Sequence, residues 1–335
     1  MQTTAVVFLN HNGIDLLKKF LPTSVKHSGE ASIFVIDNGS TDDSVRWIKA
    51  THPEVECICL SSNLGYAGGY NEGLKHVKAD IYALVNTDIE LTPNWLSPLL
   101  QRFKSNPETV VLQPHVLDFN KRSHFEYAGA AGGYIDAYGF PFCRGRILNR
   151  CEIDQGQYDE TVPIFWASGA CFLIRSNTFW ELNGFDSSFF AHQEEVDLCW
   201  RIFNAGYTIE AVGQSKVFHV GGATLPKSFK KIYLNHRNSL LMCLKNLPKN
   251  KLYSTLFQKL LLDGLIGITY LLKFNFSAIG AIIKAHFSFY KRFKSNYLLR
   301  KKHEQSGKYF LRKNIIIDFF ILRRLNFRDL NKYYK

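Results

Sequence analysis

The sequence predicts an α/β protein, with a doubly wound, mostly parallel sheet carrying helices on both faces and a basic, mainly helical C-terminal tail. Three observations predict it. Short apolar runs alternate with helical patterns through the first 115 residues, polar clusters close four of those runs, and the charge balance changes sign near residue 226. Strands alternating with helices imply a parallel sheet covered on both sides. With 335 residues, 46% of them hydrophobic, the chain can bury one large or two modest cores, and its composition does not suggest disorder.

In order, strands are expected at residues 4–9, 32–36, 55–60, 81–85 and 110–112, and helices at 14–27, 43–50, 67–77 and 94–103. Residues 114–165 lose the alternation and become rich in glycine and aromatics, which favours loops or hairpins. The pattern resumes with a strand at 170–174, a helix from about Ser176 and another at 194–205. These boundaries suggest an N-terminal half, 1–113, a second half, 114–225, and a tail, 226–335.

In doubly wound sheets ligands bind at the carboxyl ends of the strands. Those ends carry Asn10-His11-Asn12-Gly13, Asp37-Asn38-Gly39-Ser40, Asn63-Leu64-Gly65 and Asn86-Thr87-Asp88. Turn and N-cap chemistry accounts for part of this. Beyond that, Asp37 could accept hydrogen bonds from a nucleotide base. The glycines of Gly65-Tyr66-Ala67-Gly68-Gly69 let an anion approach a helix N-terminus. A hard divalent cation needs oxygen ligands, and Asp88 is placed to supply one.

Residues 189–201, Phe-Phe-Ala-His-Gln-Glu-Glu-Val-Asp-Leu-Cys-Trp-Arg, hold helical core spacing at Val196, Cys199 and Trp200, and an i,i+4 pair of Asp197 with Arg201. Core packing leaves the two adjacent glutamates, Glu194 and Glu195, unexplained. A carboxylate there could deprotonate a hydroxyl, although the helix dipole favours its ionised form. His219, followed by Gly221-Gly222, ends another apolar run, and its neutral imidazole could complete a metal shell with Asp88.

Residues 226–335 hold 24 Lys+Arg against four acids, while residues 1–225 carry 17 basic and 25 acidic residues. Without a nucleic-acid-binding motif in the sequence, this basic tail points to an anionic membrane surface and not to nucleic acid. Lys259, Asp263, Lys273 and Lys284 interrupt its apolar stretch, so the tail is expected to lie on a membrane and not to cross it. The basic runs Lys291-Arg292-Phe293-Lys294 and Arg300-Lys301-Lys302 follow. Seven cysteines without a C-x-x-C pair, and a start without a basic n-region, fit a reduced, cytoplasmic location.

Taken in order, VVFLNHNG, VIDNGSTDDS, NLGYAGGYNEGL, LVNTDIEL, WASGACFLIR, GFDSSFFAHQEEVDLCWR and VFHVGG resemble a family 2 glycosyltransferase of the GT-A fold. Among its members the likeness is to the bacterial rhamnosyltransferase-like enzymes of surface polysaccharide synthesis. It runs from Val6 to about Leu247.

The resemblance implies an inverting hexosyltransferase that takes a nucleotide-sugar donor, dTDP-rhamnose or a UDP-hexose, and a hydroxyl of a glycan or lipid-linked glycan acceptor. It implies nucleotide-sugar contacts at Leu9, Asn10, Asp37, Asn63, Gly69, Asn86, Thr87 and Asp88. Asp88 and His219 would hold Mg²⁺ or Mn²⁺, Glu195 would be the base with Glu194 as the fallback, and Gly169, Ala170, His192 and Glu194 would line the pocket. The D-x-D-type motif departs from the family by having Asn86 at its first position. That departure encourages one alternative, a non-catalytic subunit of a polysaccharide assembly. A sugar-1-phosphate nucleotidyltransferase would carry a glycine-rich basic loop after the first strand, where this chain has Asn10-His11-Asn12-Gly13.

Overall fold

The computed structural model describes residues 2–221, 228–300 and 308–331. The expected break between residues 225 and 226, Gly222 of the VFHVGG motif, and Lys301-Lys302 lie outside the described residues. The first half alternates β1 (Thr4–Asn10), α1 (Ile14–His27), β2 (Ser32–Asp37), α2 (Ser44–Thr51), β3 (Glu56–Cys59), α3 (Gly65–Gly73) and β4 (Ile81–Asn86). The short β5 (Ile89–Leu91), α4 (Ser97–Ser105) and the long β6 (Thr109–Asp118) complete it.

Residues 114–165 contain the hairpin strands β7 (Gly133–Ile135), β8 (Pro141–Cys143), β9 (Arg146–Ile147) and β10 (Arg150–Cys151), which form a separate small sheet, and then β11 (Val162–Pro163). The chain returns through β12 (Cys171–Arg175), α5 (Ser176–Glu181), α6 (Glu194–Asn204) and β13 (Thr208–His219). The tail holds α7 (Phe229–Asn246), α8 (Leu252–Leu272), α9 (Phe276–Leu299) and the short α10 (Ile315–Phe320) and α11 (Phe327–Asn331).

Among the described residues the main sheet has nine strands in the order β11-β13-β6-β12-β4-β1-β2-β3, with β5 added on β13. Strands β3, β2, β1 and β4 are parallel, as the alternation predicts. The second half is more mixed than expected. After the 114–165 excursion the chain re-enters the sheet as β12, antiparallel to both β4 and β6, and β5 and β11 run antiparallel to β13.

Successive side chains of a strand point to opposite faces, so the sheet supports two cores. Val6, Phe8, Val35 and Val85 pack under α1, α2 and α4, while Val7, Ile36 and Leu84 pack with α3, α5 and α6. The second core continues into the basic region through Leu240, Leu241, Leu244, Phe289, Tyr309 and Leu330. The compositional shift near residue 226 therefore does not mark the edge of the core.

Helix α8 turns the expected logic of the tail around. Lys259 and Asp263, which break its apolar run, are buried against the protein: Lys259 Nζ lies over the Phe140 ring, and Asp263 pairs with His236 and His286. The outward face is apolar, with Tyr253, Phe257, Leu261, Leu265, Ile268 and Leu272 exposed. By length and composition this 21-residue helix could cross a membrane, and 22% of its most apolar stretch is buried in the protein.

Candidate active site

The carboxyl ends of β1, β2 and β4 open into a cleft of about 770 Å³. It brings together eleven residues expected from sequence: Leu9, Asn10, Asn63, Asn86, Thr87, Gly169, Ala170, His192, Glu194, Glu195 and His219. Asp37, Gly69 and Asp88 stand just behind its wall.

On the side formed by the first half, Asn10 Nδ2 donates to Asp37 Oδ1 at 3.1 Å and to Ser40 Oγ at 3.2 Å, and Ser40 N–H donates to Asp37 Oδ2. Asn10 Oδ1 is buried without a partner. Asn38 ties this corner to α3, accepting from Leu64 N–H and donating to the Gly65 carbonyl. A Cβ at Gly69 would meet Leu9 Cδ1 at 2.8 Å and Asn38 Nδ2 at 2.9 Å, so a side chain there would displace two residues that line the cleft. Gly65 has a φ of +74° and sits where a Cβ would fall 2.4 Å from the Phe190 carbonyl oxygen, so only glycine fits.

Sheet register brings Asp88 and His219 together. Strand β5, which follows Asp88, pairs with the end of β13 so that His219 faces Ile89. His219 Nε2 then lies 3.2 Å from Asp88 Oδ1, and its Nδ1 lies 3.1 Å from Glu126 Oε2. Burial opposes a charge on His219, but its contacts with the two carboxylates outweigh this and push its pKa up to about 10.

Asp88 is 1% exposed, and neither of its carboxylate oxygens accepts a hydrogen bond. Among the described residues no group of three or more His, Cys, Asp or Glu forms a ready cage. Asp88 and His219 alone suit a divalent cation whose other positions are filled by phosphate oxygens and water.

Across the cleft, Glu194 and Glu195 open α6. The backbone leading to them is unusual, with positive φ at Phe190 (66°), His192 (70°) and Gln193 (71°). Such residues persist only where their surroundings hold them. Helix α7 does so: Asn238 Nδ2 donates to the carbonyls of Phe189, Ala191 and His192 at 3.0, 2.9 and 2.7 Å, and Arg237 Nη2 donates to those of Ser188 and Phe189.

The Glu195 side chain reaches the cleft past Gly169, and its Oε2 is buried and unpartnered. Burial raises its pKa to about 7, against the backbone hydrogen bonds of the helix start. Desolvation thus outweighs the helix-end field that was expected to keep this group ionised. Glu194 is raised further, by burial and then by the charge of Glu195. Burial also lowers the pKa of His192, to about 4, with Lys231 adding to the effect. The expected Asp197–Arg201 pair is present at 3.0 Å.

Sequence reasoning missed Glu126 and the α7 residues. Glu126 lies in the irregular region and carried no local signal beyond being an acid among aromatics. Asn238 did leave a trace. It sits between Leu234 and Leu241 on the apolar stripe of α7, where core spacing calls for an apolar side chain. Lys230, whose Nζ lies 3.9 Å from the Phe190 ring centroid, and Lys231 bring α7 to the cleft.

Residues 6–182 match the family model described as Glycosyl transferase family 2. The chain is 25% identical over 218 residues to an N-acetylglucosaminyl-diphospho-decaprenol L-rhamnosyltransferase of Mycobacterium tuberculosis, covering 61% of this chain and 71% of that protein. It is 23% identical over 248 residues to the low-salt glycan biosynthesis hexosyltransferase Agl10 of Haloferax volcanii, covering 71% and 74%. Among solved structures, GalNAc-T7 with UDP, GalNAc and Mn²⁺ superposes with a TM-score of 0.59 at 18% identity, over 75% of this chain and 49% of that one. The mannosyltransferase PcManGT of Pyrobaculum calidifontis, with GDP-Man and Mn²⁺, gives 0.52 at 13% identity, over 90% and 84%. This chain thus spans about half of the GalNAc-T7 chain, and the two likenesses show that the fold is GT-A.

Proposed function

The chain belongs to glycosyl transferase family 2, and on that premise we propose that it is an inverting glycosyltransferase moving a sugar from a nucleotide diphosphate to a hydroxyl of a growing, lipid-linked cell-surface glycan. The observation that carries this reading is the placement of Glu195. A carboxyl with a pKa near 7 lines the same cleft as the strand-end polar cluster and His219, with Asp88 directly behind His219. A base poised near the working pH is suited to take a proton from a hydroxyl.

In this account Asn10, Asp37 and Asn63 position the nucleoside, and the N–H groups at the start of α3 face its phosphates. Asp88 and His219 would hold Mg²⁺ or Mn²⁺, and such a cation, when bound, neutralises charge growing on the departing diphosphate. Glu195 accepts the acceptor's proton as its oxygen attacks the anomeric carbon from the face opposite the diphosphate, so the configuration inverts. Tyr66, whose hydroxyl donates to the Gly169 carbonyl at 2.7 Å, fixes the cleft wall beside Glu195.

The name of the rhamnosyltransferase relative favours a rhamnosyl donor and a lipid-linked acceptor; dTDP-rhamnose is the donor proposed, with UDP-hexoses next. The outward apolar face of α8 and the basic tail favour a peripheral position on the cytoplasmic face of the membrane. Family membership sets aside the nucleotidyltransferase alternative. Nucleotide release from a panel of nucleotide sugars, with Mn²⁺ and an acceptor, tests the proposal: turnover of one donor is expected, and turnover of none would contradict it.

A further inference from the structure

A second cavity, of about 460 Å³, opens between α7 and α9 and is lined by Tyr233, Lys284, Phe287, Ser288, Lys291 and Arg292. The α9 residues recur at three- and four-residue spacing and share one helix face. Tyr233 is fixed there, donating to Ser288 Oγ at 3.0 Å and accepting from Arg237 Nη1 at 3.2 Å. Helices α7, α8 and α9 carry a single acid, Asp263, which is already engaged by His236 and His286. Among the described residues Lys284, Lys291 and Arg292 have no carboxylate partner, so the cavity presents three cations suited to an anion with several oxygens.

Helix α7 serves both the cavity and the active-site cleft: Lys230 lines the cleft and Tyr233 lines the cavity, three residues or about 4.5 Å further along the helix. On its other side begins an apolar surface: Ile283, Phe287 and Tyr290 of α9 are 51%, 72% and 55% exposed, and α8, which packs on α9, turns its exposed apolar face outward. The basic cavity, one edge of the cleft and an exposed apolar surface are thus carried by the packed helices α7, α8 and α9.

We propose that the α7–α9 cavity binds the diphosphate of a polyprenyl-diphosphate-linked acceptor, with the isoprenoid chain lying along the apolar faces of α9 and α8 and the sugar reaching into the cleft past Lys230. This rests on the reading of the acceptor as lipid-linked, and it adds the site that would recognise it. A bilayer phosphate would offer similar chemistry, but it would not need a cavity beside the sugar cleft.

The test titrates the full-length protein in non-ionic detergent with farnesyl diphosphate, farnesol and inorganic pyrophosphate, reading binding by calorimetry. Farnesyl diphosphate should bind at least tenfold more tightly than either fragment. The K284A/K291A/R292A variant, which changes only cavity-lining cations, should weaken it at least tenfold while leaving Mn²⁺-dependent UDP binding unchanged. An unchanged farnesyl diphosphate affinity in the variant would overturn the proposal. So would a wild-type affinity no better than that of farnesol, or a variant whose only defect is lost flotation with phosphatidylglycerol vesicles. Because the titration reads binding and not transfer, it decides the cavity's role even if no nucleotide sugar is turned over.

Discussion

Replacing Glu195 by glutamine should inactivate the protein and stabilise it at once. Burial holds the carboxyl near pH 7 instead of its ordinary 4.5. The folded state therefore binds this proton more tightly than the unfolded chain does. The resulting stability is complete below pH about 4.5 and is lost as pH rises through about 7. A shift of about 2.5 units corresponds to roughly 3 kcal/mol, reduced to about 2–3 kcal/mol because the side chain reaches the cleft.

Glutamine is neutral throughout, and its presence also relieves the repulsion on Glu194. Glu195→Gln should therefore match the wild type near pH 4.5 and exceed it by about 2–3 kcal/mol at pH 8, or about 3–4 °C in Tm for a chain of this size. Turnover should fall about 10²–10⁴-fold. In the wild type kcat/KM should rise with pH and level off above about 7, since only the ionised form accepts a proton. Calorimetric melts across pH, with nucleotide-release kinetics on the same samples, read both effects. A variant that turns over within tenfold of wild type, or whose melting temperature tracks wild type from pH 4.5 to 8, would refute the reasoning.

Asp88→Asn should weaken Mn²⁺-dependent nucleotide binding at least tenfold, measured by calorimetry with and without the cation; unchanged binding would remove Asp88 as a ligand. Asn238→Ala strips donors from three carbonyls, of which only that of Phe189 keeps a second donor in Arg237. At about 1–3 kcal/mol for each of the two carbonyls left unsatisfied, roughly 2–6 kcal/mol should be lost. Hydrogen exchange should rise first at residues 189–193, and protection there equal to wild type would show that α7 does not hold this segment.

What could be read from sequence followed from strong local rules. Residues 4–9 and 81–85 are apolar on both faces because their strands lie in the middle of a covered sheet, and that is how a run like Val6-Val7-Phe8 announces itself. The strand-end residues then had to gather at one edge, and Asn10, Asn63 and Thr87 do. The raised pKa values of Glu195 and His219 were not legible, because the first depends on burial and the second on Asp88 and on Glu126, a residue 93 positions from His219 in sequence and 3.1 Å away in space. Helix α8 misled in a different way. Its charges look like interruptions of an apolar stretch until packing shows that Lys259 and Asp263 point inward and the apolar side faces out.

The central claim is that Glu195 drives direct displacement at the anomeric carbon. Proton NMR of the disaccharide product, formed from a donor of known anomeric configuration, tests it most directly. The account predicts the opposite configuration in the product from the first turnovers onward, and a product that retains the donor's configuration would contradict it.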